Sequence, residues 1–342
     1  MRILILKPSS LGDVVNAIPV LRLIKRRDPA ASVYWWINVE LASLLEGDRD
    51  LDGVILFDRR HWGSPWRWPE AVASVRRVRR MGFDVVLDLQ GLLRSGLMAW
   101  LANGAMTVGV DDPREGAPAF YDVRVPRPEG RPHAVDWCLA ALGPLGAPVA
   151  WDFDWLPIRA EVVDAIRRRW PIGDHPWLAV QPGARWLNKR WPAEHFRALV
   201  RRLTQGRPDL RVAILGGAAE RELAEAVRQG APDRCLNLAG ATTLWEMIEW
   251  IRLSSMMVTN DTGPMHIAAA LGRPVVAVFG PTDPLRTGPY GQVGHVLQEA
   301  LACAPCRQPR CRHDPPVECL TRLSPERVAE AVERRWASGS AC

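Results

Sequence analysis

The chain alternates two kinds of hydrophobic pattern from its first residues. Arg2–Leu6 is a short, mostly apolar run, followed by the stretch Lys7-Pro-Ser-Ser-Leu-Gly-Asp13 and by apolar positions at helical spacing to about Arg27. A short apolar run between turn signals reads as a buried strand, and a sustained 3.6-residue period as an amphipathic helix. The scheme repeats, with strands predicted at Ser32–Ile37, Gly53–Phe57, Phe83–Leu89 and Met106–Val110, and helices within Arg131–Leu142 and Ala160–Arg169. It then restarts. Strands are predicted at Trp177–Val180, Arg211–Leu215, Cys235–Leu238, Met256–Thr259 and Val275–Phe279. Helices follow from about Ala193, through Val227, and near Leu244–Arg252 and Pro264–Leu271. Strands alternating with helices predict parallel sheets covered on both faces. A last helix, Ser324–Trp336, has Ser324 at its cap and Pro325 and Glu326 in its first turn.

The fold class expected is therefore α/β, in two halves that share an architecture without an obvious sequence repeat. A length of 342 residues suits two domains better than one core. The apolar start is too short for a signal peptide, and no apolar stretch approaches the roughly 20 residues that span a bilayer. The expectation is a cytoplasmic protein whose seven cysteines need not pair.

Charge adds a partner to this picture. The net charge is +6, with Arg22, Lys25, Arg26 and Arg27 closing one helix and Arg76, Arg77, Arg79 and Arg80 closing another. Either cluster alone reads equally as a solvated helix end favoured by the macrodipole; together they suggest an anionic partner. No nucleic-acid module pattern is present, so nucleic acid is not expected. The loop His61–Pro69 holds Trp62, Trp66 and Trp68 beside Arg67, which suits a membrane interface or a self-packed loop.

Candidate chemistry sits in the polar loops after the strands, where open parallel sheets bind ligands. In Pro8-Ser-Ser-Leu-Gly-Asp13, Gly12 permits a tight turn, and Asp13 is either a helix cap or a general base. No G-x-G-x-x-G fingerprint follows, which argues against a dinucleotide oxidoreductase. In Thr259-Asn-Asp-Thr-Gly-Pro-Met-His266, the Thr262 and Gly263 N–H groups, the Thr262 hydroxyl and a helix N-terminus form an anion site suited to a diphosphate. Asp261 suits sugar hydroxyls, because carboxylate and phosphate repel. Gln181–Trp191 supplies Arg185, Lys189 and Arg190, of which Lys189 can neutralise charge on a departing diphosphate, unless the loop is merely solvated. Gly216-Gly217, with Glu220 and Glu222 just after, can approach a nucleotide. Asp88-Leu-Gln-Gly91, followed by Arg94, either faces a ligand or only ends a strand. Cys303, Cys306, Cys311 and Cys319 match no standard zinc or ferredoxin spacing, so reduced structural thiols and a zinc site weigh equally and no metal is assigned.

Taken together, Ser9-Ser-Leu-Gly-Asp-Val14, Asp88-Leu-Gln-Gly-Leu-Leu-Arg94, Gln181-Pro-Gly183, Lys189-Arg-Trp-Pro192, Gly216-Gly217, Asn260-Asp-Thr-Gly-Pro-Met-His266 and Phe279-Gly-Pro-Thr-Asp283 resemble glycosyltransferase family 9, the lipopolysaccharide heptosyltransferases. The resemblance spans nearly the whole chain. It implies the GT-B architecture: two Rossmann-like parallel-sheet domains facing across a cleft, residues 1–170 binding acceptor and 171–323 the nucleotide sugar, with a helix in 324–342 packing back on the first. It implies inverting transfer of heptose from ADP-L-glycero-D-manno-heptose to a Kdo or heptose hydroxyl of the inner core, with Asp13 as base. Lys189, Glu222, Asp261, Thr262, Gly263 and His266 are the implied donor residues. Ser9, Ser10, Gly12, Asp88, Gln90 and Arg94 are the acceptor-side candidates. Neither cofactor nor metal is implied, since a helix dipole and basic side chains can stabilise the leaving diphosphate. The acceptor would be an anionic lipid-linked saccharide, met peripherally at the inner face of the inner membrane. The competing expectations are another GT-B glycosyltransferase with a different nucleotide sugar, and a nucleotide-sugar epimerase.

Overall fold

The computed structural model describes residues 1–58, 65–130, 132–151 and 153–339. The chain divides into two compact units, Met1–Pro157 and Ile158–Cys342. In the first, β1 (Arg2–Leu6), β2 (Ser32–Asn38), β3 (Gly53–Phe57), β4 (Val85–Asp88), β5 (Met106–Val110) and β6 (Val123–Val125) form one sheet in the order β3-β2-β1-β4-β5-β6. In the second, β7 (Trp177–Gln181), β8 (Arg211–Ile214), β9 (Cys235–Asn237), β10 (Met256–Asn260), β11 (Val275–Phe279) and β12 (Val296–Gln298) form the order β12-β11-β10-β7-β8-β9. Every strand pair is parallel, so the two sheets have the same winding.

The central strands read as continuous apolar runs because helices cover both faces. All residues of β4, β7, β10 and β11 are buried, as are Ile3–Leu6 of β1. The edge strands β6 and β12 have three residues each and were not predicted, whereas β9, equally short at the other edge of the second sheet, was predicted as Cys235–Leu238.

Two boundaries differ from expectation. The helix Ala160–Arg169 was assigned to the first half, but it packs on the helix Leu244–Leu253 and lies in the second unit, which begins at Ile158. The terminal helix Pro325–Gly339 was expected on the first domain. It packs on the helix Ala193–Gly206 and on β11 of its own unit. Its apolar stripe of Val328, Ala329 and Val332 is part of the second core, which accounts for that placement.

Candidate functional site

A doubly wound sheet binds ligands where its strand order reverses, beyond the carboxyl ends of the two strands flanking the reversal. In the first unit that point lies between β1 and β4, and in the second between β7 and β10. The loops there, 7–10 and 89–92 in the first unit and 182–191 and 261–262 in the second, carry Ser9, Ser10, Gln90, Lys189, Asp261 and Thr262, and the helices that follow them carry Gly12, Asp13, Gly263 and His266.

In the first unit the helix Leu11–Arg27 begins at Ser10, which is its N-cap. Asp13 is the third helical residue, and one carboxylate oxygen accepts from the Ser10 N–H at 2.9 Å and the Ser10 hydroxyl at 2.7 Å. This is a capping box, so the cap expected of Asp13 exists, although Ser10 holds the N-cap position. Asp13 stays half-buried, Ser9 is half-buried, Ser10 is exposed and Gly12 is buried. Lys7 is buried at the end of β1 and donates to the Leu89 carbonyl at 2.6 Å, tying the two strands of the switch point together. From sequence, Lys7 is only the first residue of the loop.

Of the two readings of Asp88, an acceptor-side group or the end of a strand, the structure favours the second: it is 0% exposed and its carboxyl is turned inward. It accepts from the backbone of Gln90 and Gly91 at 2.9 and 3.2 Å and from the Tyr121 hydroxyl at 2.7 Å. Burial pushes its carboxyl above the usual range, against the pull of these bonds. The Tyr121 ring reaches Asp88 only because its neighbour is Gly109, where a Cβ would fall 2.3 Å from the ring. Asp88 thus braces the turn that presents Gln90, while Arg94 is exposed and stacks on the Phe57 ring at 5.7 Å. Arg114, not singled out from sequence, forks onto Asp112 at 2.6–2.9 Å and lies within electrostatic reach of Asp13.

In the second unit Lys189 donates to Asp261 at 2.6 Å, and the Thr282 hydroxyl donates to the same carboxylate oxygen at 2.5 Å. The loop is held to the end of β10 by Asn260, whose amide donates to the Pro182 carbonyl at 2.7 Å and accepts from the Trp191 N–H at 3.0 Å. Lys189 also lies 4.8 Å from the Trp186 ring centre. Next to this pair the helix Gly263–Ala270 starts, with Thr262 at its N-cap making no side-chain capping bond. Gly263 is half-buried and His266 is buried in the second turn. The predicted Lys189, Asp261, Thr262, Gly263 and His266 are therefore brought to one place.

Glu222 is not. It is exposed on the helix Arg221–Arg228, whereas Glu220 turns into the loops and accepts from the Gly217 N–H at 3.0 Å and from Gln181 at 3.3 Å. Gly183 makes room for it, since a Cβ there would lie 1.9 Å from the Glu220 carboxylate. Its place three residues after Gly217 was the legible signal.

The two basic clusters separate. Arg22 forks onto Asp48 and reaches Asp50, each contact at 2.6 Å, and Lys25 pairs with Asp52 at 2.9 Å. Much of that cluster is spent within the fold, so it does not form the anionic-partner face expected. Arg76, Arg77, Arg79 and Arg80 are exposed on the helix Trp68–Arg80. Of the tryptophan loop, Trp66 and Trp68 are exposed, and Trp62 lies outside the described residues.

The sequence model of glycosyltransferase family 9 (heptosyltransferase) matches residues 53–316. The chain belongs to this family. It is 30% identical to lipopolysaccharide heptosyltransferase 1 of Pseudomonas aeruginosa, over 97% of each chain. Among solved structures, E. coli heptosyltransferase WaaC with ADP matches at a TM-score of 0.77 and 25% identity, covering 98% of this chain and 100% of that one. The same enzyme with ADP-2-deoxy-2-fluoro heptose gives 0.75 and 25%, covering 98% and 99%. This family 9 chain is thus a glycosyltransferase with the GT-B fold.

Proposed function

We propose that this enzyme transfers L-glycero-D-manno-heptose from ADP-heptose to a Kdo or heptose hydroxyl of the lipopolysaccharide inner core, with inversion. The observation that carries the reading is the Lys189–Asp261 pair beside the N-terminus of Gly263–Ala270, at the switch point of the second sheet. The helix N-terminus with its unspent Thr262 hydroxyl offers hydrogen-bond donors to a diphosphate. Lys189 compensates the charge that grows on the departing diphosphate, and Asp261, held between Lys189 and Thr282, faces the sugar hydroxyls. In the first unit Asp13 takes the proton of the acceptor hydroxyl as its oxygen attacks the anomeric carbon. The new glycosidic bond forms as the bond to the diphosphate breaks, and ADP leaves with the electron pair.

The acceptor is a lipid-linked saccharide, so the enzyme works at an anionic membrane surface without crossing it. Among the described residues no helix is long and apolar enough to span a bilayer. The contact face is built by the helices Trp68–Arg80 and Leu93–Ala102, which touch each other. They expose Trp68, Val72, Leu93, Leu97 and Trp100 beside Trp66 and the arginines.

The deciding experiment supplies ADP-heptose with and without Kdo-lipid acceptor. The expected result is acceptor-dependent release of ADP and a heptosylated lipid. Conversion of the nucleotide sugar without acceptor would assign an epimerase instead.

A further inference from the structure

The cysteine segment remains unused by the reaction. Cys303, Cys306, Cys311 and Cys319 line one small cavity, together with Asn188, His313 and Glu318. None of these four cysteines is in a disulfide. The cavity has a volume of about 20 Å³, room for a single water-sized occupant. A second observation points into it. Asn188 is 6% exposed; its amide nitrogen donates to the Gln308 carbonyl at 2.9 Å, and its Oδ1 is buried without a hydrogen-bond partner. Rotating the amide would set its oxygen against the Gln308 carbonyl, so the orphaned acceptor is a property of the site.

Four thiols around a one-atom cavity match the donor set of a closed structural site for a soft cation, which takes four sulfur ligands in a tetrahedron. The Val317 N–H already donates to the Cys311 sulfur at 3.3 Å, the kind of contact that supports a ligating thiolate. Among the described residues no three such side chains yet converge on one point. The four cysteines line one cavity wall, so metal binding would require their side chains to turn inward.

We propose that Cys303, Cys306, Cys311 and Cys319 bind one thiophilic divalent cation, zinc or ferrous iron, as a structural site behind the donor loop. Binding would deprotonate the thiols and release their protons to solvent, with no change of oxidation state. The site's position says what it stabilises. Asn188 precedes Lys189 and ties that turn to the cysteine segment. Arg307 donates its N–H to the Pro281 carbonyl at 2.7 Å and pairs with Asp283 at 3.0 Å, next to Thr282. Cys319 lies against Gly280, where a Cβ would meet its sulfur at 3.1 Å. The cation would therefore hold both loops that position Lys189 and Asp261; this consequence, unlike the site itself, rests on the donor reading above.

The test is the metal content of the full-length enzyme, purified reduced and without chelator. Elemental analysis should find about one equivalent of zinc or iron per chain, and the element found distinguishes the two. After chelation, cobalt(II) should restore an intense tetrahedral spectrum with sulfur-to-cobalt charge transfer. The double variant Cys303→Ser/Cys306→Ser should lose both signals and raise KM for the nucleotide sugar more than it lowers kcat. Where that variant does not fold, the wild-type metal count and cobalt spectrum decide alone. Wild-type protein holding no stoichiometric metal and giving no cobalt–thiolate absorption overturns the proposal, leaving a cavity for a water on Asn188. Metal retained in the double variant overturns it equally. Neither measurement uses the sugar donor, so a wrong donor would leave the metal count unchanged.

Discussion

At the scale of single residues, Asp13 carries the sharpest expectation, because two roles meet in one carboxylate. As the acidic member of a capping box it accepts from Ser10, and asparagine can still accept through its amide oxygen. As a base it must take a proton, which asparagine cannot do. Asp13→Asn should therefore change folding stability by less than about 1 kcal/mol, while turnover falls by about 10²–10⁴-fold. Thr262→Ala should do the reverse, weakening donor affinity by roughly 1.5–3 kcal/mol in calorimetry with smaller effect on the chemical step. Near-normal turnover in Asp13→Asn, with both substrates saturating, would leave Asp13 a cap only. Lys189→Ala is the poorer probe, since it would also strip a buried carboxylate, Asp261, of its cation. The motif residues were legible because glycine, proline and charged groups mark loop ends in any sequence. Glu220, Tyr121 and Arg114 were harder to find. Their roles depend on which loop lies beside which, and only strand order determines that.

At the scale of elements, the helix Leu11–Arg27 shows how a charge pattern can mislead. Its basic end reads as a surface for anions, yet Arg22 is spent on Asp48 and Asp50 and on the carbonyls of Asp154 and Trp155. Burial alone would lift the Asp48 carboxyl, but the bonds and charge of Arg22 hold it below its ordinary 3.8. A lowered folded value means the stabilisation is complete above the ordinary carboxylate range and is lost as pH falls through the folded value. Arg22→Met leaves Asp48 buried without a cation and should cost about 3–5 kcal/mol at pH 7. In the variant only the Asp50 N–H and the Arg49 charge still oppose burial, so protonation relieves that penalty earlier on acidification. The gap in urea midpoint between wild type and variant should then shrink from pH 7 to pH 4, and a constant gap would show that the pair is not its source. The strands were legible for a simpler reason. A doubly covered strand such as β7 or β11 has no polar face to interrupt its apolar run. β6 and β12 lie at sheet edges, and of their six residues only Val125 is buried, so no buried run marks them. The terminal helix was legible as a helix, but its partner was not, because an apolar stripe says that something is covered without saying what.

At the scale of the whole molecule, the lipid-linked acceptor proposed above requires a membrane contact, although no described helix is long and apolar enough to cross a bilayer. The exposed face of Trp68–Arg80 and Leu93–Ala102 suits a bilayer interface on two separate grounds. Leu93, Leu97 and Trp100 recur at spacings of four and three, so they share one side of their helix, and all three are exposed. Tryptophan with flanking arginine combines an apolar body with a charged rim. These two contributions respond differently to salt, which makes them separable. Each arginine near an anionic leaflet is worth about 1 kcal/mol, so neutralising Arg76, Arg77, Arg79 and Arg80 should lower partitioning onto anionic vesicles by up to about 10³-fold. Added salt should mimic that loss, because exposed charges are screened beyond about 8 Å at physiological ionic strength. Trp66→Ser with Trp100→Ser should instead remove the portion of binding that survives high salt. The helix Leu11–Arg27 supplies the control: Lys25 is already paired with Asp52, so Lys25→Gln should leave vesicle binding near the wild-type level. Co-sedimentation with anionic and neutral vesicles reads all four outcomes. Equal binding to both vesicle types, or a loss in Lys25→Gln as large as in the arginine variant, would mean that charge anywhere on the surface suffices and that this face has no special part in reaching the acceptor.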